Sequence, residues 1–176
     1  TIVAESRLGL GLEKAPLNAG LAIIDQTASR HDSTWQPVYG ERSAIRDHYH
    51  QLVVDLKETQ LPRRRLQLTF RAYDAGVAFC YTMPKQAGLE RVTIANEQTE
   101  FRFPADHTAW AVYSAQGKYS PVTLSQIKRG CERPLTIQVA DNLFVALAEA
   151  RLVDYARMKL APLAGQPHSL VSALAG

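Results

Sequence analysis

The sequence predicts an all-β protein, a two-sheet antiparallel sandwich, and three observations carry that expectation. Apolar residues recur with period two rather than 3.6. Two hairpins can be read directly from alternating runs on either side of short turns. No segment sustains the apolar stripe of a core helix. At 176 residues, 46% hydrophobic and 21% charged, the chain is long enough for one sizeable core and too short for two comfortable domains.

The first hairpin is the clearest. Leu66, Leu68, Phe70 and Ala72 alternate with Gln67, Thr69 and Arg71, and Val77, Phe79, Tyr81 and Met83 repeat the pattern. Between them Tyr73-Asp74-Ala75-Gly76 is a short Asp/Gly turn, so 66–73 and 77–83 are expected to be adjacent antiparallel strands joined at Asp74–Gly76. In the second hairpin Leu135, Ile137 and Val139 alternate, Asp141-Asn142 turns the chain, and the apolar run 143–148 returns it. Shorter strand candidates are 21–24, 52–56, 91–95, 99–103 and 108–113, about nine strands in all, at the spacing of a sandwich. Two segments, 43–49 and 122–129, are expected to manage one or two helical turns, with Pro121 suited to the start of the second. Residues 162–176 are small, apolar and poor in charge, and read as a linker or chain end.

Composition narrows the function classes. The formal charge is +3, from 20 basic and 17 acidic residues. A surplus that small speaks against a dedicated nucleic-acid binder. The longest apolar run, 143–148, is far short of the roughly 20 residues that a bilayer requires, so no membrane insertion is expected. The chain opens with Thr rather than Met and lacks a charged-then-apolar leader, which reads as a trimmed or processed segment. Cys80 and Cys131 are too few for a disulfide framework; one bridge or two free thiols are both open.

Individual chemical candidates are weak. His48 and His50 at i and i+2 share one strand face, as a metal pair would, or simply mark a polar strand end. Arg63-Arg64-Arg65 after Pro62 suits either an anion grip or a solvated turn. There is no G-x-S-x-G elbow, no Gly-rich phosphate loop and no Cys/His cluster with zinc spacing. Glu149 stands out, because it ends a strongly apolar strand and is costly if buried alone. It lies either in water at the sheet margin or against a cation or metal, with Asp154 and Tyr155 close behind.

The string Phe70-Arg71-Ala72-Tyr73-Asp74-Ala75-Gly76-Val77-Ala78-Phe79 resembles a hairpin signature of the N-terminal module of glycoside hydrolase family 97. Further pieces follow in the same order as in that module. They are Ser6-Arg7-Leu8-Gly9-Leu10, Trp35-Gln36-Pro37-Val38-Tyr39-Gly40-Glu41, Glu97-Gln98-Thr99-Glu100-Phe101, and Glu149-Ala150-Arg151-Leu152-Val153-Asp154-Tyr155-Ala156-Arg157-Met158. The resemblance spans the chain from residue 6 to residue 161.

That resemblance implies a β-super-sandwich of the galactose mutarotase type, truncated at its N-terminus because the family's module begins several strands earlier. It makes 1–161 the N-terminal domain of a larger, periplasmic or secreted calcium-dependent α-glucosidase or α-galactosidase, with 162–176 leading toward a (β/α)8 barrel. The family's acid and base lie in that barrel, so this chain alone is not expected to hydrolyse an α-linked glycoside. One functional residue carries over: Glu149 matches the glutamate that the module lends to the calcium, the remaining ligands coming from the barrel. Cys80 departs from the family, whose members usually show Arg there. Two other classes stay open. A stand-alone sugar-binding module would use Trp35, Tyr39, Trp110 and Tyr113 as stacking platforms. An aldose mutarotase-like isomerase would need an acid and a base, with His48, His50 and Glu149 the available set.

Overall fold

The computed structural model describes residues 1–175. They are all-β: thirteen strands lie in four antiparallel sheets, with one 3₁₀ turn at Leu124–Gln126. The chain divides into two compact units, Ala19–Val92 and a second formed by Thr1–Asn18 with the residues from Thr93 onward.

The unit Ala19–Val92 is a four-stranded meander in chain order, β2 (Leu21–Trp35), β3 (Ile45–Glu58), β4 (Arg65–Tyr73) and β5 (Gly76–Thr82). The expected hairpin is present, with Phe70 opposite Phe79 and Tyr73 opposite Gly76 at the turn. Leu66, Leu68 and Val54 share one buried face, as period two requires. The segment 43–49 is a correction: it enters strand β3 at Ile45 rather than turning helically, because every residue from Ile45 to Glu58 finds a ladder partner on β2 or β4.

The other unit carries three sheets. A short pair joins β1 (Leu10–Leu12) to β6 (Ile94–Glu97). A four-stranded sheet is ordered β11 (Leu143–Leu147), β10 (Leu135–Ala140), β8 (Thr108–Ala111), β9 (Ser120–Thr123). A three-stranded sheet is ordered β12 (Met158–Pro162), β13 (Ser169–Leu174), β7 (Glu100–Arg102). One core draws on both larger sheets: Ala109, Leu135, Ile137 and Leu147 from the first, Met158, Leu160 and Leu170 from the second. This is the sandwich that the alternation predicts, and each fully buried Leu or Ile in it contributes about 1.5–3 kcal/mol.

Two further expectations are corrected here. Residues 122–129 finish the edge strand β9 and then make one turn as expected, the 3₁₀ turn Leu124–Gln126, but Pro121 does not start it. Pro121 sits in that strand opposite Trp110, where its missing N–H faces away from the ladder. Residues 162–176, read as a linker, contain β13, the central strand of its sheet, with Leu170 fully buried. A strand of small apolar residues buried on both faces shows no alternation, which is why its period gave no signal.

Candidate functional site

Strand β11 ends at Leu147 and delivers Glu149 into the connection to β12. The side chain is only 15% exposed and is not alone. The Arg133 Nε–H donates to Glu149 Oε2 at 3.1 Å, and the Met158 N–H donates to the same carboxylate at 3.2 and 3.3 Å. Of the two expectations, water at the sheet margin or a cation, the structure shows the cation. An apolar strand end gives Glu149 too little water, and the guanidinium of Arg133 offsets the cost.

Arg133 is shared. Its other arm lies 3.5 Å from Glu132, a buried carboxylate that also takes Arg157 at 3.1 Å and Lys159 at 3.0 Å. Two carboxylates are thus held by three cations along the ends of β10, β11 and β12. Sequence reading missed Glu132 and its partners. The signal was the Glu-Arg pair entering β10, opposite the Arg-Met-Lys run that begins β12.

The connection 149–157 turns through two residues in the left-handed region, Arg151 and Asp154, and leaves Leu152 and Val153 exposed at its tip. Tyr155 anchors its far side, donating to Glu97 Oε2 at 2.9 Å, while Thr99 Oγ donates to Glu97 Oε1 at 2.6 Å. Neighbouring residues of the same short run are also ties. Gln98 accepts from Asn18 at 2.6 Å, and Glu100 accepts from Arg102 Nε at 2.8 Å and from the Arg7 N–H at 3.1 Å. The segment 97–100 thus fastens the N-terminal stretch and the Glu149 connection to one framework.

Calcium takes six to eight oxygens, and no group of three His, Cys, Asp or Glu capable of holding a metal occurs among the described residues. His48 and His50 do share a strand face, with ring centroids 6.1 Å apart, but gain no third ligand there. Arg64 is no anion grip. It is buried in a fork with Glu58, its Nε–H donating at 2.8 Å and its own backbone N–H at 2.9 Å. That guanidinium holds the Glu58 carboxyl below the usual glutamate range. Both cysteines are free, Cys80 exposed and Cys131 buried, and burial pushes the Cys131 thiol up.

Of the aromatic candidates only Trp110 is partly buried, while Tyr113 is 43% exposed. Trp110 tilts against Phe144 at 5.9 Å between ring centroids, and the Tyr113 hydroxyl accepts the Lys128 N–H at 3.0 Å. Trp35 and Tyr39 are 51% and 90% exposed. Within its own unit the partner of Glu149 is Arg133, a cation rather than a general acid or base.

Residues 1–174 match the Glycosyl-hydrolase 97 N-terminal family. The chain belongs to that family. A family 97 enzyme from Pseudoalteromonas sp. strain K8, solved in complex with acarbose, is 28% identical with a TM-score of 0.92. It matches over 99% of this chain and 27% of its own. A variant from the same strain in complex with panose gives the same values. The crystal structure of a β-arabinopyranosidase, 24% identical with a TM-score of 0.87, shares the fold. This family 97 N-terminal chain thus spans about a quarter of the length of those solved family 97 enzymes.

Proposed function

We propose that this chain is the N-terminal accessory domain of a calcium-dependent, exo-acting α-glycosidase that is exported to the periplasm or secreted. In that reading it supports a (β/α)8 barrel that carries the acid and base. The single observation behind the reading is the match to family 97 enzymes over nearly all of this chain but only about a quarter of theirs. The substrate class is supported by the relative solved in complex with acarbose and with panose.

Glu149 enters this reading as one donor. Its carboxylate already accepts from Arg133 and Met158, so a cation has to compete with the guanidinium, and its other ligands have to come from outside this chain. The test uses the intact enzyme. Without residues 1–176 the catalytic region is expected to lose hydrolysis of aryl α-glucosides or α-galactosides, and adding the 176-residue chain in trans is expected to restore part of it. Full activity without the chain contradicts the supporting role. In the same enzyme Glu149→Gln should raise the calcium concentration needed for half-maximal activity, while Arg133→Gln should lower it. An unchanged requirement in both confines Glu149 to its ion pair.

A further inference from the structure

The ladder between β3 and β4 begins at His50 opposite Ala72, yet β2 and β3 stay paired beyond it. Their last pairs run from His31 opposite Tyr49 to Trp35 opposite Ile45. The last four of these pairs lie beyond Tyr73, the end of β4, and form a two-stranded arm that at about 3.4 Å per residue reaches roughly 14 Å past the sheet. Residues 36–44 close its tip.

Isolated two-stranded ribbons are marginal in water, and this one is stiffened along its length. On one face His31 stacks on Tyr49 at 5.0 Å, Tyr73 meets Tyr49 at 5.3 Å, and the Arg71 guanidinium lies 4.2 Å from the Tyr49 ring centre. On the other, Arg46 forks onto Asp32 at 2.8 and 2.6 Å. The arm ends in a group of exposed apolar side chains. Val38 is fully exposed, and Trp35, Pro37, Val38, Tyr39 and Ile45 line an open hollow of about 570 Å³ together with Glu41 and Arg42. Exposed aromatic and aliphatic side chains gathered beside a Glu and an Arg match the composition of a protein interface better than that of a solvated turn.

Resting on the accessory-domain reading, we infer that this arm docks the domain onto the catalytic part of the intact enzyme, with Trp35, Val38 and Tyr39 as its buried anchors. The length outside this chain favours that occupant, since nearly three quarters of the solved family 97 relative lies beyond the match. A sugar fits the tip less well. Val38 stands fully exposed between the two aromatic residues, and its branched aliphatic side chain offers a pyranose neither a flat face nor a hydrogen bond.

The test measures maleimide labelling of Val38→Cys in a Cys80→Ser background, in the 176-residue chain and in the full-length enzyme. Leu61→Cys, in the connection between β3 and β4 at the opposite end of the sheet, is the control. Expected is rapid labelling of both in the short chain, and a loss of ~10-fold or more in rate at position 38 alone in the enzyme. Equal rates at position 38 in both proteins, with the enzyme still hydrolysing α-glycosides, overturn the docking and leave the accessory-domain reading intact. An enzyme without such hydrolysis overturns the reading itself. Protection already present in the short chain and rising with its concentration assigns the tip to a second copy, and protection that requires added panose assigns it to sugar; either overturns the inference. As a second variant, Val38→Asp should lower the melting temperature of the enzyme and leave that of the short chain unchanged.

Discussion

The sandwich that holds Glu149 and the four-stranded sheet of Ala19–Val92 use hydrophobic residues in opposite ways. In the sandwich, two sheets close on one core and most large apolar side chains of β8, β10, β12 and β13 are buried. In the meander, only Tyr49, Val54, Leu66 and Leu68 are buried apolar residues, while Ile23, Ile24, Trp35, Val38, Tyr39 and Val77 are exposed. The first unit spends its apolar residues on holding itself together. The second leaves a good part of them in water.

Substitutions can break this comparison. The largest effect is expected in the sandwich core: Leu135→Ala or Leu160→Ala should cost about 2–5 kcal/mol in denaturant unfolding, because each leaves a cavity between two sheets. The matching change in the meander, Ile23→Ala, should cost under about 0.5 kcal/mol, since that side chain is mostly in water already. Equal costs would remove the distinction between the two units.

Next in size is the buried fork of the meander. Arg64→Ala strands the Glu58 carboxylate and should cost about 3 kcal/mol. Its pH signature has a definite sign. The folded value of Glu58 is depressed, so the stabilisation is complete above the ordinary glutamate range of about 4.3 and fades as the pH falls through the lower folded value. Glu58→Gln should therefore flatten the acid side of a stability–pH profile, and an unaltered profile would remove Glu58 from the account.

In the sandwich, Glu132→Gln leaves Arg133, Arg157 and Lys159 around an uncharged group, and about 1–3 kcal/mol should be lost. High salt should recover part of that loss by screening the cations. The smallest effect belongs to the arm. Asp32→Asn breaks a pair that is more than half exposed on both sides, and the denaturant midpoint should stay where it is.

The hairpins at 66–83 and 135–148 were legible because one face of each meets a core and the other meets water, so the alternation is written into side-chain type. Strand β2 was legible only at its start. From Asp25 to Thr34 almost every residue is polar or small and exposed, and the strand exists through its ladder with β3 rather than through burial. Strand β13 failed for the opposite reason, being buried on both faces. Glu149 could be singled out from the price of ending an apolar strand in a carboxylate. Its partner could not, because Arg133 lies 16 residues away and only the pairing of β10 with β11 brings the two together.

The proposed role, support of catalysis without performing it, can be tested on the chain itself. The direct measurement is turnover of aryl α-glucosides and α-galactosides by the highly purified 176-residue chain beside the full-length enzyme. Hydrolysis by the full-length protein alone is the expected result. Turnover by the short chain that disappears on a single substitution within residues 1–176, Glu149→Gln or His48→Ala for example, would contradict it.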